Sequence, residues 1–284
     1  MSHPIYLSFA DFWSGFDHNH NFFKYLCQSV NPAVEVIPLG PRTNILIYSC
    51  FGNSHHGAAS HTRKIFYTGE NIRPDYGHCH QSLTFDFGDY GGRNVRLPLW
   101  LLQIDWFGHS NYGNPNFLIH TDSIDDNLFS RKPKTKFCCT VFNNPSPFRH
   151  ELVEKLSRYK PVDCYGHPFD NHFSGENRKL EIISDYRFTI CLENSSHPGY
   201  YTEKPIHAKV AGCIPIYWSD REYVKDFNKK AFIHLADYKN LDDMVDFIVA
   251  MDKDEAAYQV LKSQSLFSEL PNIDYLLPHF KAFL

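Results

Sequence analysis

The stretch FTICLENSSHPGYYTEKPIHAKVAGCIPIYW, Phe188 to Trp218, decides the fold. Phe188 to Leu192 is a short apolar run, long enough for one buried strand. Glu193 to Gly199 are loop and turn formers. Thr202 is a good N-cap, and Pro205 falls within the first helical turn, where a missing N–H costs little. Ile206, Val210 and Ala211 give a helical apolar stripe, Gly212 stops the helix, and Ile214 to Trp218 reads as a second strand. The unit is β-α-β, with its polar residues gathered at the carboxyl end of the first strand. Open α/β sheets bind their ligands at that end.

The polar residues there are specific in type. Glu203 and Lys204 fall on the first helical turn, and Asn194 and Tyr200 lie in the loop before it. A helix start beside a lysine suits phosphate. A glutamate beside them suits ribose hydroxyls, so the set points to a nucleoside diphosphate. Spacing alone leaves open a capped surface helix whose Glu and Lys are merely solvated.

Read residue by residue, the stretch resembles the donor-binding motif of the GDP-fucose-dependent α-1,3-fucosyltransferases, glycosyltransferase family 10. Glu193, Asn194, Ser195, Gly199, Tyr200, Thr202, Glu203, Lys204, Pro215, Tyr217 and Trp218 carry the resemblance. One departure follows T-E-K. The motif continues with two apolar residues and an Asp, whereas this chain has Pro205, Ile206 and His207.

Two further segments join it. Thr68-Gly69-Glu70-Asn71 follows a predicted strand at Lys64 to Tyr67 and resembles the family's T-G-E-N, whose glutamate is the proposed catalytic base. The physical logic is a carboxylate at a strand end, turned into a cleft by an adjacent glycine. Arg96-Leu97-Pro98-Leu99 matches the family's R-x-P-L. Asn143 to Arg149 resembles an N-x5-R segment whose arginine binds donor phosphate, again after a predicted strand, Phe137 to Phe142.

Composition sets the bounds. The chain has 284 residues and is 43% hydrophobic and 16% aromatic, so a large core is available. A net charge of −4 and a pI near 6.5 argue against a nucleic-acid binder. No apolar run is long enough for a transmembrane helix, and Met1 to Trp13 lacks the pattern of a signal peptide. The expectation is a cytoplasmic protein with at most peripheral membrane contact. The 8 cysteines are scattered without a CxxC pair and read as reduced, buried thiols. Asp86-Phe87-Gly88 imitates the kinase metal motif, but the kinase glycine-rich loop and H-R-D are missing. His78 and His80, with His55 and His56, lack the spacing of a structural zinc site. No D-x-D occurs at Asp86 and Asp89, so no metal and no cofactor is expected.

Alternating strands and helices continue through the chain. Gly108 to Lys136 is polar, and Arg131, Lys132 and Lys134 read as a basic exposed link with the domain boundary near Pro133. Residues 1–133 and 134–284 then form two halves without a visible sequence repeat. A turn is expected at Gly166-His167 and a helix over Leu180 to Tyr186. The resemblance implies a GT-B fold of the α/β class, with two facing Rossmann-like domains and a cleft between them. The first would bind acceptor and the second GDP-fucose. It implies inverting transfer of L-fucose to the 3-OH of GlcNAc or Glc in N-acetyllactosamine-type or lactose-type oligosaccharides, giving a Lewis-antigen-like product. Glu70 would be the base, with Arg149, Asn194, Tyr200, Glu203 and Lys204 binding the donor. Loops at residues 10–20, 51–60 and 108–118 would shape the acceptor site. The alternatives are a transferase for another GDP-sugar and a silent, lectin-like binder.

Overall fold

A computed structural model describes residues 4–166 and 176–284 of the chain. His167, half of one expected turn, lies outside the described residues. The chain divides into two compact units, residues 1–118 with 271–284 and residues 119–270.

Unit 1 holds a parallel six-stranded sheet. Its strands are β1 (Ile5–Ala10), β2 (Val34–Val36), β3 (Ile45–Tyr48), β4 (Arg63–Tyr67), β5 (Gln81–Thr84) and β6 (Asn94–Arg96), in the order β2-β1-β3-β4-β5-β6. All four residues of β3 are buried, the continuous apolar run that a doubly covered parallel strand requires. Helix α1 (Phe22–Val30) links β1 to β2, and Asn21 caps it by accepting from the Lys24 N–H.

Unit 2 holds a parallel five-stranded sheet. Its strands are β7 (Lys136–Val141), β8 (Val162–Tyr165), β9 (Tyr186–Leu192), β10 (Ile214–Trp218) and β11 (Ile233–His234), in the order β11-β10-β9-β7-β8. Helices α2 (Pro147–Ser157), α3 (Glu176–Ile183), α4 (Lys204–Val210), α5 (Leu241–Lys253) and α6 (Glu255–Lys262) connect and cover it. Phe188, Ile190, Ile214 and Ile216 of its central strands pack with Leu152 and Leu156 of α2 in one apolar core. The helix expected over Leu180 to Tyr186 lies earlier, because Tyr186 already pairs with Lys136 in the sheet.

Both units follow one plan. In each sheet the first and third strands lie side by side, β1 beside β3 and β7 beside β9. The chain leaves these pairs in opposite directions, so each is a topological switch point, where connecting loops diverge and leave a crevice.

The domain boundary expected near Pro133 falls inside unit 2. The basic segment there is an anchor, because Lys134 Nζ donates to the carbonyls of Phe129, Ser184 and Ala211. Burial lowers its pKa to about 8. Asn127 adds a bond to the Val210 carbonyl. The last helix, α7 (Leu276–Phe283), belongs to unit 1 instead of unit 2, and packs on α1.

Gly212, which ends α4, sits under this anchor. Its φ is +74°, and a Cβ there would stand 2.6 Å from Ser130 Cα. Gly212→Ala combines left-handed strain with a clash against backbone and is expected to cost about 2–3 kcal/mol. Chemical denaturation of the purified variant reads that loss. An unchanged midpoint would mean that residues 119–135 are not held against the end of α4.

Candidate active site

The loops after β7 and β9 meet at the unit 2 switch point. Ser146 caps α2 by accepting from the Arg149 N–H, which puts Arg149 on the first helical turn. Its guanidinium turns back over the Phe142 ring, with Nη1 donating to the Asn144 carbonyl. Nη2 donates to the Leu192 carbonyl at 2.7 Å and to Asn194 Oδ1 at 2.9 Å. Arg149 therefore joins the β7 loop to the β9 loop. It is 4% exposed, and burial lowers its pKa, yet a guanidinium starts so high that it keeps its proton. Among the described residues these bonds use three of its five N–H donors.

Beside it lies Glu193, whose side chain is fully buried. Oε1 accepts from the Thr202 N–H at 2.9 Å and the Tyr217 hydroxyl at 3.0 Å. Oε2 accepts from Thr202 Oγ1 at 2.7 Å and Lys204 Nζ at 2.9 Å. Thr202 is consequently not the helix cap that its residue type suggests. Its hydroxyl serves Glu193, α4 begins at Lys204, and Glu203 stands at the cap position without a side-chain cap bond. Burial opposes the Lys204 charge, but the carboxylates of Glu193 and Glu203 outweigh it and hold its pKa above the ordinary value.

Glu203 is a quarter exposed, with Oε1 3.7 Å from Lys179 Nζ. Desolvation would raise its pKa, but Lys204 and Lys179 overcome that and hold it well below the usual carboxylate range. Tyr200 is 2% exposed and lies within electrostatic range of both Arg149 and Lys204. Arg149, Lys179, Lys204 and His207 line one crevice of about 10 Å³. That volume holds a single water, so a larger anion meets these cations at the crevice mouth. The structure thus brings together all five expected donor residues. It adds Glu193 and Lys179, to which sequence reasoning gave no role. Glu193 had a signal, its place in the matched motif; Lys179 had none.

Glu70 belongs to unit 1, in the turn after β4. Thr68 Oγ1 accepts from the Glu70 N–H and donates to the Glu70 carbonyl, fixing the backbone. The carboxylate is partly exposed and makes no hydrogen bond among the described residues. Gly69 is required for a different reason from the one expected. Its φ is not positive; a Cβ would press on Leu99 Cδ1 at 3.0 Å. The T-G-E-N turn and the R-x-P-L segment are therefore packed together.

The β1 loop of unit 1 lines a cavity of about 510 Å³, in which Asp11, Phe12, Trp13, Phe16 and His18 share the walls with Val36 to Leu39 at the end of β2 and with Ser54 of the β3 loop. Asp11, at φ +59°, accepts from the backbone N–H groups of Ser54 and His55 and pairs with His55 Nδ1 at 2.8 Å. Asn114 Nδ2 donates to the Ser14 carbonyl, so the three loops expected to shape an acceptor site do meet. Phe12 and Trp13 lie 6.1 and 6.4 Å from the Tyr67 ring, three residues before Glu70. The rings of His55, His56 and His78 also approach one another, but among the described residues no group of His, Cys, Asp and Glu is placed to hold a metal. No helix of the described residues is long and apolar enough to cross a membrane, and all 8 cysteines are free thiols.

Comparison with known proteins adds identity to geometry. Residues 130–261 match the model of the glycosyltransferase family 10 (fucosyltransferase) C-terminal region, and residues 7–103 match that of the α-(1,3)-fucosyltransferase FucT N-terminal domain. The chain is 28% identical over 246 residues to the Helicobacter pylori α-(1,3)-fucosyltransferase FucT, covering 78% of this chain and 48% of that one. It is 29% identical over 142 residues to human 4-galactosyl-N-acetylglucosaminide 3-α-L-fucosyltransferase 9, covering 49% of this chain and 39% of the human protein. The chain thus spans about half, or less, of these curated relatives. A crystal structure of an α1,3-fucosyltransferase with GDP-fucose superimposes with a TM-score of 0.71 at 24% identity, over 100% of this chain and 90% of that one. That likeness gives the fold, GT-B. With both of its sheets and both matched models accounted for, the chain belongs to glycosyltransferase family 10.

Proposed function

We propose that this chain transfers L-fucose from GDP-fucose, with inversion, to the 3-OH of GlcNAc or Glc in an N-acetyllactosamine-type or lactose-type glycan, giving a Lewis-antigen-like product. The observation that carries this reading is the cation set at the unit 2 switch point, where buried Arg149 and part-buried Lys204 are both held in place by bonds within the protein. The H. pylori relative is named for α-(1,3)-fucosyl transfer and the human one for transfer to a 4-galactosyl-N-acetylglucosaminide, which supports the sugar and the acceptor class, and the crystal structure with GDP-fucose supports the donor.

In the proposed reaction the bond from fucose C1 to the diphosphate oxygen breaks. Positive charge grows on the sugar ring and negative charge on the departing GDP. Lys204 and Arg149 meet that negative charge at the crevice mouth, and preorganised charges of this kind are usually the largest catalytic contribution. Glu203 accepts from the ribose hydroxyls, while Asn194 and Tyr200 position diphosphate and sugar. The acceptor oxygen attacks C1 from the opposite face and gives its proton to the Glu70 carboxylate. No metal enters the scheme, because side-chain cations serve the diphosphate. The cavity between the β1 loop and the end of β2 is the acceptor site of this reading. Its size suits a sugar unit, and its aromatic faces suit the apolar face of a pyranose ring. The cytosol, where thiols stay reduced, is the compartment this reading assigns.

Four outcomes test it. With lactose or N-acetyllactosamine, GDP release from GDP-fucose should depend on acceptor and persist in EDTA. Preference for GDP-mannose would identify a different sugar, and GDP binding without turnover on a panel of acceptors would leave a silent binder. Glu70→Gln should lower kcat by about 10²–10⁴-fold with GDP affinity unchanged. Lys204→Ala should also weaken GDP binding, by about 10–100-fold; full activity in both variants would overturn these roles. Trp13→Ala should raise the acceptor KM about 5–20-fold, the worth of one aromatic contact, and leave the donor KM alone.

A further inference from the structure

Lys179 is the cation of the donor crevice that the scheme above does not use. It stands on α3, its side chain 15% exposed, with Nζ 3.0 Å from His207 Nδ1 and 3.7 Å from Glu203 Oε1. An ammonium has only donors, so His207 Nδ1 accepts and the imidazole carries its proton on Nε2. Burial and the Lys179 charge push the His207 pKa down to about 3, so the ring stays neutral at any working pH. Lys179 is thus seated on a neutral acceptor and keeps its full charge for Glu203. The other nearby cation, Lys204, is already tied to Glu193. Lys204 also acts on the Glu203 charge, but Lys179 is the cation within ion-pair distance of Glu203 among the described residues. An aspartate at position 207 would compete for that charge with a full charge of its own and draw the ammonium away from Glu203.

We infer that Lys179, seated on His207, is a positioning residue that holds the Glu203 carboxylate in the orientation that accepts the donor's ribose hydroxyls. The inference rests on the proposed role of Glu203, and the two are separable by experiment. Dissociation constants for GDP and 2′,3′-dideoxy-GDP are measured by calorimetry on the full chain. Their ratio reports the ribose contacts alone. The unmodified protein should prefer GDP by about 10–100-fold, as expected for hydrogen bonds to a charged group. Glu203→Gln should reduce that preference severalfold; if it does not, the ribose role of Glu203 fails. Lys179→Met, close in shape and tolerable in a part-buried site, should reduce the preference at least about fivefold while leaving dideoxy-GDP binding within about twofold. His207→Asp should lower it in part, and His207→Gln, another neutral acceptor, should retain it. Should Glu203→Gln reduce the preference while Lys179→Met leaves it intact, the inference is overturned and the ribose role stands. Equal weakening of both ligands by Lys179→Met would also overturn it, by making Lys179 a plain attraction for the diphosphate. Thermal melts of Lys179→Met and His207→Gln establish that each variant is folded before its ratio is read.

Discussion

Unit 2 of this protein depends on one buried carboxylate. Glu193 takes four hydrogen bonds, from the Thr202 N–H and hydroxyl, Tyr217 and Lys204. It stands just past the end of β9 and so ties that strand to β10, to the polar loop and to the start of α4. A buried ion pair is weak evidence for added stability, since desolvation offsets much of the attraction. It does fix geometry. With both oxygens committed, Lys204 Nζ has one place to sit, and the loop from Asn194 to Tyr201 has one closure. Loss of Glu193 would strand a buried ammonium and free the turn that presents it.

The same economy appears at the level of topology. Each sheet places its first strand beside its third, and each puts chemically useful residues where those two strands end. In unit 2 a guanidinium, Arg149, bridges the diverging loops; in unit 1 a carboxylate, Asp11, does so. The signs are opposite and the architecture is shared. One crevice gathers positive charge, and beside the other the β1 loop lines an aromatic cavity.

Most of the fold was legible in the sequence, and the failures have identifiable causes. Continuous apolar runs such as Ile45 to Tyr48 and Ile214 to Tyr217 announce parallel strands. Thr202 misled because its hydroxyl had a stronger acceptor in Glu193 than an open helix end, a contact between residues nine apart that local propensity does not see. Lys134 read as solvated because nothing in its neighbourhood announces the Ser184 and Ala211 carbonyls that surround it. Gly69 was rightly singled out and wrongly explained, since its constraint is Leu99 and not a backbone angle. Asn194, Tyr200, Glu203 and Lys204 were legible because they cluster in one short motif, and Arg149 because it closes a second matched segment. Lys179 was not, because it reaches the site from another element through a tertiary contact. The shared topology of the two units was invisible for a related reason: strand order is set by crossovers, and no residue pattern is repeated to mark it.

The path of the chain has a consequence of its own. After completing unit 2 it returns to unit 1 and ends there in α7, against α1. Arg63, the first residue of β4, donates to the Ala282 carbonyl and stacks over the Phe283 ring, and Tyr275 bonds to the Arg96 carbonyl. Topologically unit 2 is an insertion within unit 1, which carries Glu70. Genetic order and mechanical order therefore part company. Removing residues 271–284 would erode the support of the strand leading to Glu70 while sparing the cation-lined crevice of unit 2.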